Sequence, residues 1–187
     1  MTTEQSIMTN QQPNGHGRKQ MRWRSFDYST KGVYFVTIVT YQRLCMFGQV
    51  VHGEMILNDA GTMILEQYNE MSNTTVQCMD VVVMPNHIHF MVSILHGSMT
   101  SLPTLIKKFK SKTTVQYLRG MKTNHWLPIE RHLWQRSYWD DIVWNDRMFD
   151  FIRHYIVLNP RRWDKDALNE GHGNELDDIN GSLRKLR

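Results

Sequence analysis

Two histidines one residue apart, His87 and His89, lie in the run Met84-Pro85-Asn86-His87-Ile88-His89-Phe90-Met91-Val92. Apolar and β-branched residues on both sides of Pro85-Asn86 read as strand. Alternate strand side chains share a face, so the two imidazoles point the same way about 7 Å apart, with Ile88 on the other face. Imidazoles so placed can converge on one metal ion; otherwise a His-x-His is a hydrogen-bonded or exposed pair. A second group follows in Asn145 to Pro160, where Met148, Ile152, and Tyr155 or Ile156 recur at helical spacing. Tyr155 and Asn159 are four apart and stack on one helix face. Taken alone, Tyr155 reads as a core aromatic and Asn159-Pro160 as a helix end. Taken with the histidines, a hydroxyl nucleophile, two imidazoles and an amide oxygen make a complete site for phosphodiester chemistry.

The elements that must hold these groups follow from pattern. Val33 to Thr40 reads as a first strand, and Tyr41 to Gly53 as a loop or short strand. Asn58 or Asp59 caps a helix to about Met71 with Ile64, Leu65, Tyr68 and Met71 inward. Val76 to Met84 and His87 to Leu95 form a hairpin about Pro85-Asn86. A helix from Ser101 or Leu102 to about Arg119 turns Leu102, Leu105 or Ile106, Phe109 and Thr113 inward. Leu133 to Val143 supplies a further strand, and the helix of Tyr155 comes last, capped by Asn145 or Asp146 and stopped at Pro160. Strand, helix, strand, strand, helix, strand, helix predicts an α+β fold: a ferredoxin-like antiparallel sheet with helices on one face and a late helix laying Tyr155 across the histidines.

The 187 residues divide into a polar N-terminal arm over 1–20, one domain over 21–165, and a polar C-terminal tail over 166–187. A hydrophobic fraction of 41% fits a globular core, and no apolar run approaches the roughly 20 residues of a membrane span. Cys45 and Cys78 are too few for a disulfide framework, which points to the cytoplasm. The net charge of +4 permits nucleic acid without proving it. Its placement says more. Arg18, Lys19, Arg22, Trp23 and Arg24 mix cations with an indole, a combination suited to gripping a strand through phosphates and stacked bases. Lys107, Lys108, Lys110 and Lys112 lie off the inward stripe of their helix, and form either a solvated face or a backbone clamp.

Tyr34 to Thr40, Met84-Pro85-Asn86-His87-Ile88-His89, Phe109-Lys110-Ser111, Trp134-Gln135-Arg136-Ser137-Tyr138 and Tyr155-Ile156-Val157-Leu158-Asn159-Pro160-Arg161-Arg162-Trp163 resemble, in order, the REP-associated tyrosine transposases. These are a branch of the single-tyrosine His-hydrophobic-His nucleases. Asp141 and Trp144 depart from that pattern, which has more basic or imidazole residues there. The resemblance implies cleavage of single-stranded hairpin DNA of REP type by Tyr155, through a covalent 5′-phosphotyrosine and a free 3′-hydroxyl. It implies Mg2+ or Mn2+ held by His87 and His89, with Asn159 as third ligand. It also implies a monomer, although insertion-sequence relatives are dimers, and a cytoplasmic protein associated with the nucleoid when bound to DNA. Two rivals predict other outcomes: a non-catalytic nucleic-acid-binding module of the same fold, and a hydrolase that activates water with Tyr155 structural.

Overall fold

Strand β1 (Gly32–Val39) occupies the middle of a four-stranded antiparallel sheet because both of its faces are apolar enough to be covered. The computed structural model describes residues 31–96, 98–169 and 176–186. After β1 comes a short hairpin, β2 (Gly48–Val51) and β3 (Glu54–Leu57), turning at His52-Gly53, where both residues have positive φ. Helix α1 (Asp59–Asn69) starts where the Asn58 side chain accepts from the Gly61 amide at 2.9 Å. Strands β4 (Val76–Met84) and β5 (His87–Ile94) follow, then α2 (Leu102–Thr123), β6 (Trp139–Ile142), α3 (Asp146–Leu158), a 3-10 helix at Pro160–Lys165 and α4 (Leu176–Lys185).

The sheet order is β4-β5-β1-β6, with every neighbouring pair antiparallel. This is the α+β, ferredoxin-like arrangement the element order predicts, with the β2–β3 hairpin as an addition. One face buries Tyr34, Val36, Ile38, Ile88, Phe90 and Val92 beneath α1 and α2. The late helix takes the other face, where Met148, Ile152 and Ile156 pack on Phe35 and Met91, together with Ile179 and Leu183 of α4. The polar stretch after Trp163 therefore includes a helix with an apolar stripe seated on the sheet.

Three local outcomes differ from the sequence pattern. The strand expected over Leu133 to Val143 is confined to Trp139–Ile142, with Trp134 joined to Thr40 by an isolated bridge. Its missing part is accounted for by Lys110, whose ammonium takes the carbonyls of Gln135 and Ser137, each at 2.9 Å, away from any ladder. Helix α2 runs through Gly120 to Thr123, because Gly120 leaves the space in which the Trp126 ring lies; a Cβ there would come within 2.2 Å of it. Strand β4 carries a bulge: Cys78 pairs with Val92 and Val81 with Phe90, three residues against two. The Tyr68 hydroxyl fills the break, accepting from the Met79 amide at 2.8 Å and donating to the Met91 carbonyl at 2.7 Å.

Candidate active site

His87 and His89 open β5 on the face covered by α3, in register with Val39 and Thr37 of β1. Their rings are 4.5 Å apart, and the two side chains are fully or almost fully buried. Each Nδ1 is engaged in an outer hydrogen bond, His87 with Asn86 Oδ1 at 2.8 Å and His89 with Thr37 Oγ1 at 2.7 Å. The Nε2 atoms thus face other groups, His89 Nε2 toward Tyr155 Oη and His87 Nε2 toward Asp166. Burial lowers the pKa of His87 to about 3, with the Asn159 side chain opposing. Burial also holds His89 well below its ordinary value, reinforced by His87 and opposed by Asp166. Both rings are neutral at pH 7, the state in which imidazole donates a lone pair.

Helix α3 brings the phenol and the amide. Asn145 caps it, accepting from the Met148 amide at 2.9 Å, and the Met148, Ile152, Ile156 stripe fixes its rotation against the sheet. That rotation leaves Tyr155 half-buried beside the histidines, its Oη 3.4 Å from His89 Nε2. Phe35 supports both rings, stacked on His89 at 5.5 Å and edge-on to Tyr155 at 6.1 Å. One turn on, Asn159 ends the helix almost completely buried.

A fifth side chain, not foreseen from sequence, is Asp166. The 3-10 helix over Pro160–Lys165 carries the chain back across the site, and Asp166 Oδ2 lies 3.9 Å from His87 Nε2. The ligating atoms of His87, His89 and Asp166 all lie within 4.8 Å of one another. His87 Nε2 and Asn159 Oδ1 are buried without a hydrogen-bond partner among the described residues. Orphaned buried acceptors are rare, and two in one pocket beside a carboxylate fit a cation. His87, His89, Asn159 and Asp166 are the residues that would hold it.

A comparison with known families decides the assignment: the IS200-like transposase model matches residues 27–159, most of the chain. The chain belongs to the IS200-like transposase family. An uncharacterized protein of Haemophilus influenzae is 28% identical over 168 residues, covering 82% of this chain and 93% of that relative. Among solved structures, a REP-associated tyrosine transposase bound to a REP hairpin matches with a TM-score of 0.54 at 17% identity, covering 87% of each chain. A putative transposase from Deinococcus radiodurans matches at a TM-score of 0.45 and 17% identity over 73% of this chain and 95% of that one.

The members of the family site expected from the sequence, His87, His89, Tyr155 and Asn159, are neighbours in the structure. The lysines do not join them. Helix α2 packs on the opposite face of the sheet, through Leu105, Ile106 and Phe109. Lys107 and Lys108 are exposed there, Lys112 pairs with Glu70 at 2.5 Å, and Lys110 holds the 135–137 carbonyls. Arg18, Lys19, Arg22, Trp23 and Arg24 lie outside the described residues. On the site's own side the 3-10 helix linking Asn159 to Asp166 exposes Arg161, Arg162 and Lys165, with Trp163 tilted against His87 at 6.1 Å. Asp166 carried one signal in the sequence, an acidic residue six positions after Pro160. Among the described residues no helix is long and apolar enough to cross a membrane.

Proposed function

We propose that this transposase-family protein cleaves and rejoins single-stranded DNA, with Tyr155 as nucleophile and a divalent cation, Mg2+ or Mn2+, at His87, His89, Asn159 and Asp166. The observation that carries the reading is the position of Tyr155 Oη, 3.4 Å from Nε2 of His89, a residue whose ligating atom lies within 4.8 Å of those of His87 and Asp166. Tyr155 Oη attacks phosphorus; the Oη–P bond forms and the P–O3′ bond breaks. The products are a 5′-phosphotyrosine and a 3′-hydroxyl, the phenolic proton passing to water and the departing oxygen taking one back. A bound cation supplies Lewis-acid polarisation of the phosphoryl oxygens. His89 Nε2, the nitrogen beside Tyr155 Oη, is the one His89 would turn to that cation, which would seat the phenol next to the ligand set. Reversal by another 3′-hydroxyl conserves the phosphodiester bond and needs no nucleotide.

The substrate we favour is REP-type hairpin DNA acted on by a monomer, since the solved protein of similar fold is bound to a REP hairpin. Exposed Arg161, Arg162 and Lys165 stand in the chain between two proposed ligands, where they would meet phosphates next to the scissile one. The arm at Arg18–Arg24 is assigned to the unpaired strand, and Lys107 and Lys108, on the far face, to duplex bound away from the cleft.

The test is end-labelled hairpin DNA incubated with protein and Mn2+, then resolved on a denaturing protein gel. Label is expected to migrate with the protein, and Tyr155→Phe is expected to lower adduct formation at least about 1000-fold while retaining DNA binding. Free cut product without an adduct would replace this reading with the hydrolase, and no cutting under any metal would leave the binding module.

A further inference from the structure

We propose that Asn86 is the positioning residue that sets both the His87 lone pair and the Asp166 carboxylate. The proposal rests on the metal-site reading above. Asn86 is fully buried in the β4–β5 turn, and its carboxamide makes three bonds. Its Nδ2 lies 2.9 Å from the Arg43 carbonyl and 2.7 Å from the Leu168 carbonyl. Carbonyls only accept, so the amide nitrogen must face both of them, and the orientation of the carboxamide is decided. Oδ1 is then the atom 2.8 Å from His87 Nδ1, and it too can only accept. His87 Nδ1 therefore carries a proton, which in the neutral ring leaves Nε2 bare, toward Asp166.

The other arm of the carboxamide reaches Asp166 through one residue. The Leu168 carbonyl is held by Asn86, and the Leu168 amide donates to Asp166 Oδ1 at 2.7 Å. With Oδ1 occupied, Oδ2 is the oxygen presented to His87. Arg43, whose carbonyl Asn86 also holds, donates its Nη1 to the Ala167 carbonyl at 2.9 Å and closes the clamp. Two groups far apart in sequence are thus tied to one turn side chain, while His89 depends separately on Thr37.

The experiment uses the full chain with 15N-labelled histidine, free of metal, and two variants. Long-range 1H–15N correlation reads the His87 tautomer, and amide exchange reads the 166–169 segment. Wild type is expected to show pure Nδ1–H imidazole and a protected Leu168 amide. Asn86→Ala is expected to mix the tautomers and weaken Mn2+ binding, measured by paramagnetic resonance, some 10–100-fold. Asn86→Asp retains an acceptor for His87 Nδ1 but no donor for the carbonyls. It is expected to preserve the tautomer while Leu168 exchange accelerates at least about tenfold, a loss of about 1.4 kcal/mol of local protection. Wild-type Leu168 exchange in Asn86→Asp overturns the proposal, as does a pure Nδ1–H His87 in a folded Asn86→Ala. Failure of wild type to bind Mn2+ would instead count against the metal site and leave the tautomer result standing.

Discussion

His89 and Phe90 are consecutive, both essentially inaccessible to solvent, and they occupy different chemical worlds. Phe90 is wedged between Tyr68 at 5.0 Å and Phe109 at 6.2 Å in the apolar layer under α1 and α2. His89 sits among Thr37, His87 and Tyr155 under α3. The period of two in a strand separates them, so β5 is core wall on one side and, in the function proposed above, ligand platform on the other. The α3 face has its own apolar cluster around Met91, and the two histidines lie beside it among polar partners.

Adjacent substitutions should therefore break different things. His89→Ala is expected to lower DNA cleavage by about 1000-fold, equivalent to several kcal/mol of transition-state stabilisation, with the thermal midpoint changed by only a few degrees. Phe90→Ala should do the reverse. A buried aromatic cut back to alanine costs about 3–5 kcal/mol, and cleavage per folded molecule should stay near the wild-type rate at a temperature where the variant is folded. Parallel thermal melts and single-turnover assays on the two variants check the pair. If Phe90→Ala lowered the single-turnover rate as His89→Ala does, without unfolding, the two faces would not be independent.

What the sequence disclosed follows the range of the interactions concerned. The caps Asn58, Ser101 and Asn145 bond within three residues, so local pattern finds them. His87 and His89 share a face by strand geometry, and Tyr155 and Asn159 share one by helix geometry, so the core of the site was also within reach. Asp166 was not, because its position depends on Asn86, Arg43 and Leu168, which no periodicity links. The choice of face by α3 is equally tertiary: its apolar stripe shows that it packs, not on which side. The bulge between Cys78 and Val81 is silent in a run of valines, and the region of β2 reads only as a loop or short strand because β2 and β3 are four residues each. The Leu133–Val143 pattern is strand-like throughout, and the ammonium of Lys110 takes the carbonyls of its middle, at Gln135 and Ser137.

That bulge offers the smallest and most discriminating test, since it involves no ligand atom. Tyr68 is buried in the apolar core, and its hydroxyl stands in for the ladder bond between Met79 and Met91. Tyr68→Phe strands the Met79 amide and is expected to cost about 1–3 kcal/mol without altering cleavage. The pH dependence gives a second signature. Burial, with Cys78 adding to it and the Met79 amide opposing, raises the Tyr68 pKa far above its ordinary value. The folded protein thus keeps the phenol neutral where the unfolded chain ionises, near pH 10. Stability from this residue is intact below that pH and falls as pH rises above it, because the unfolded state releases a proton the folded state retains. Tyr117, pushed up to about 12 by burial, adds to the same slope in wild type and variant alike. Urea midpoints measured from pH 8 to 11 should therefore decline less steeply in Tyr68→Phe than in wild type. Equal slopes would mean that the hydroxyl is hydrated, and that the bulge is held open by something other than Tyr68.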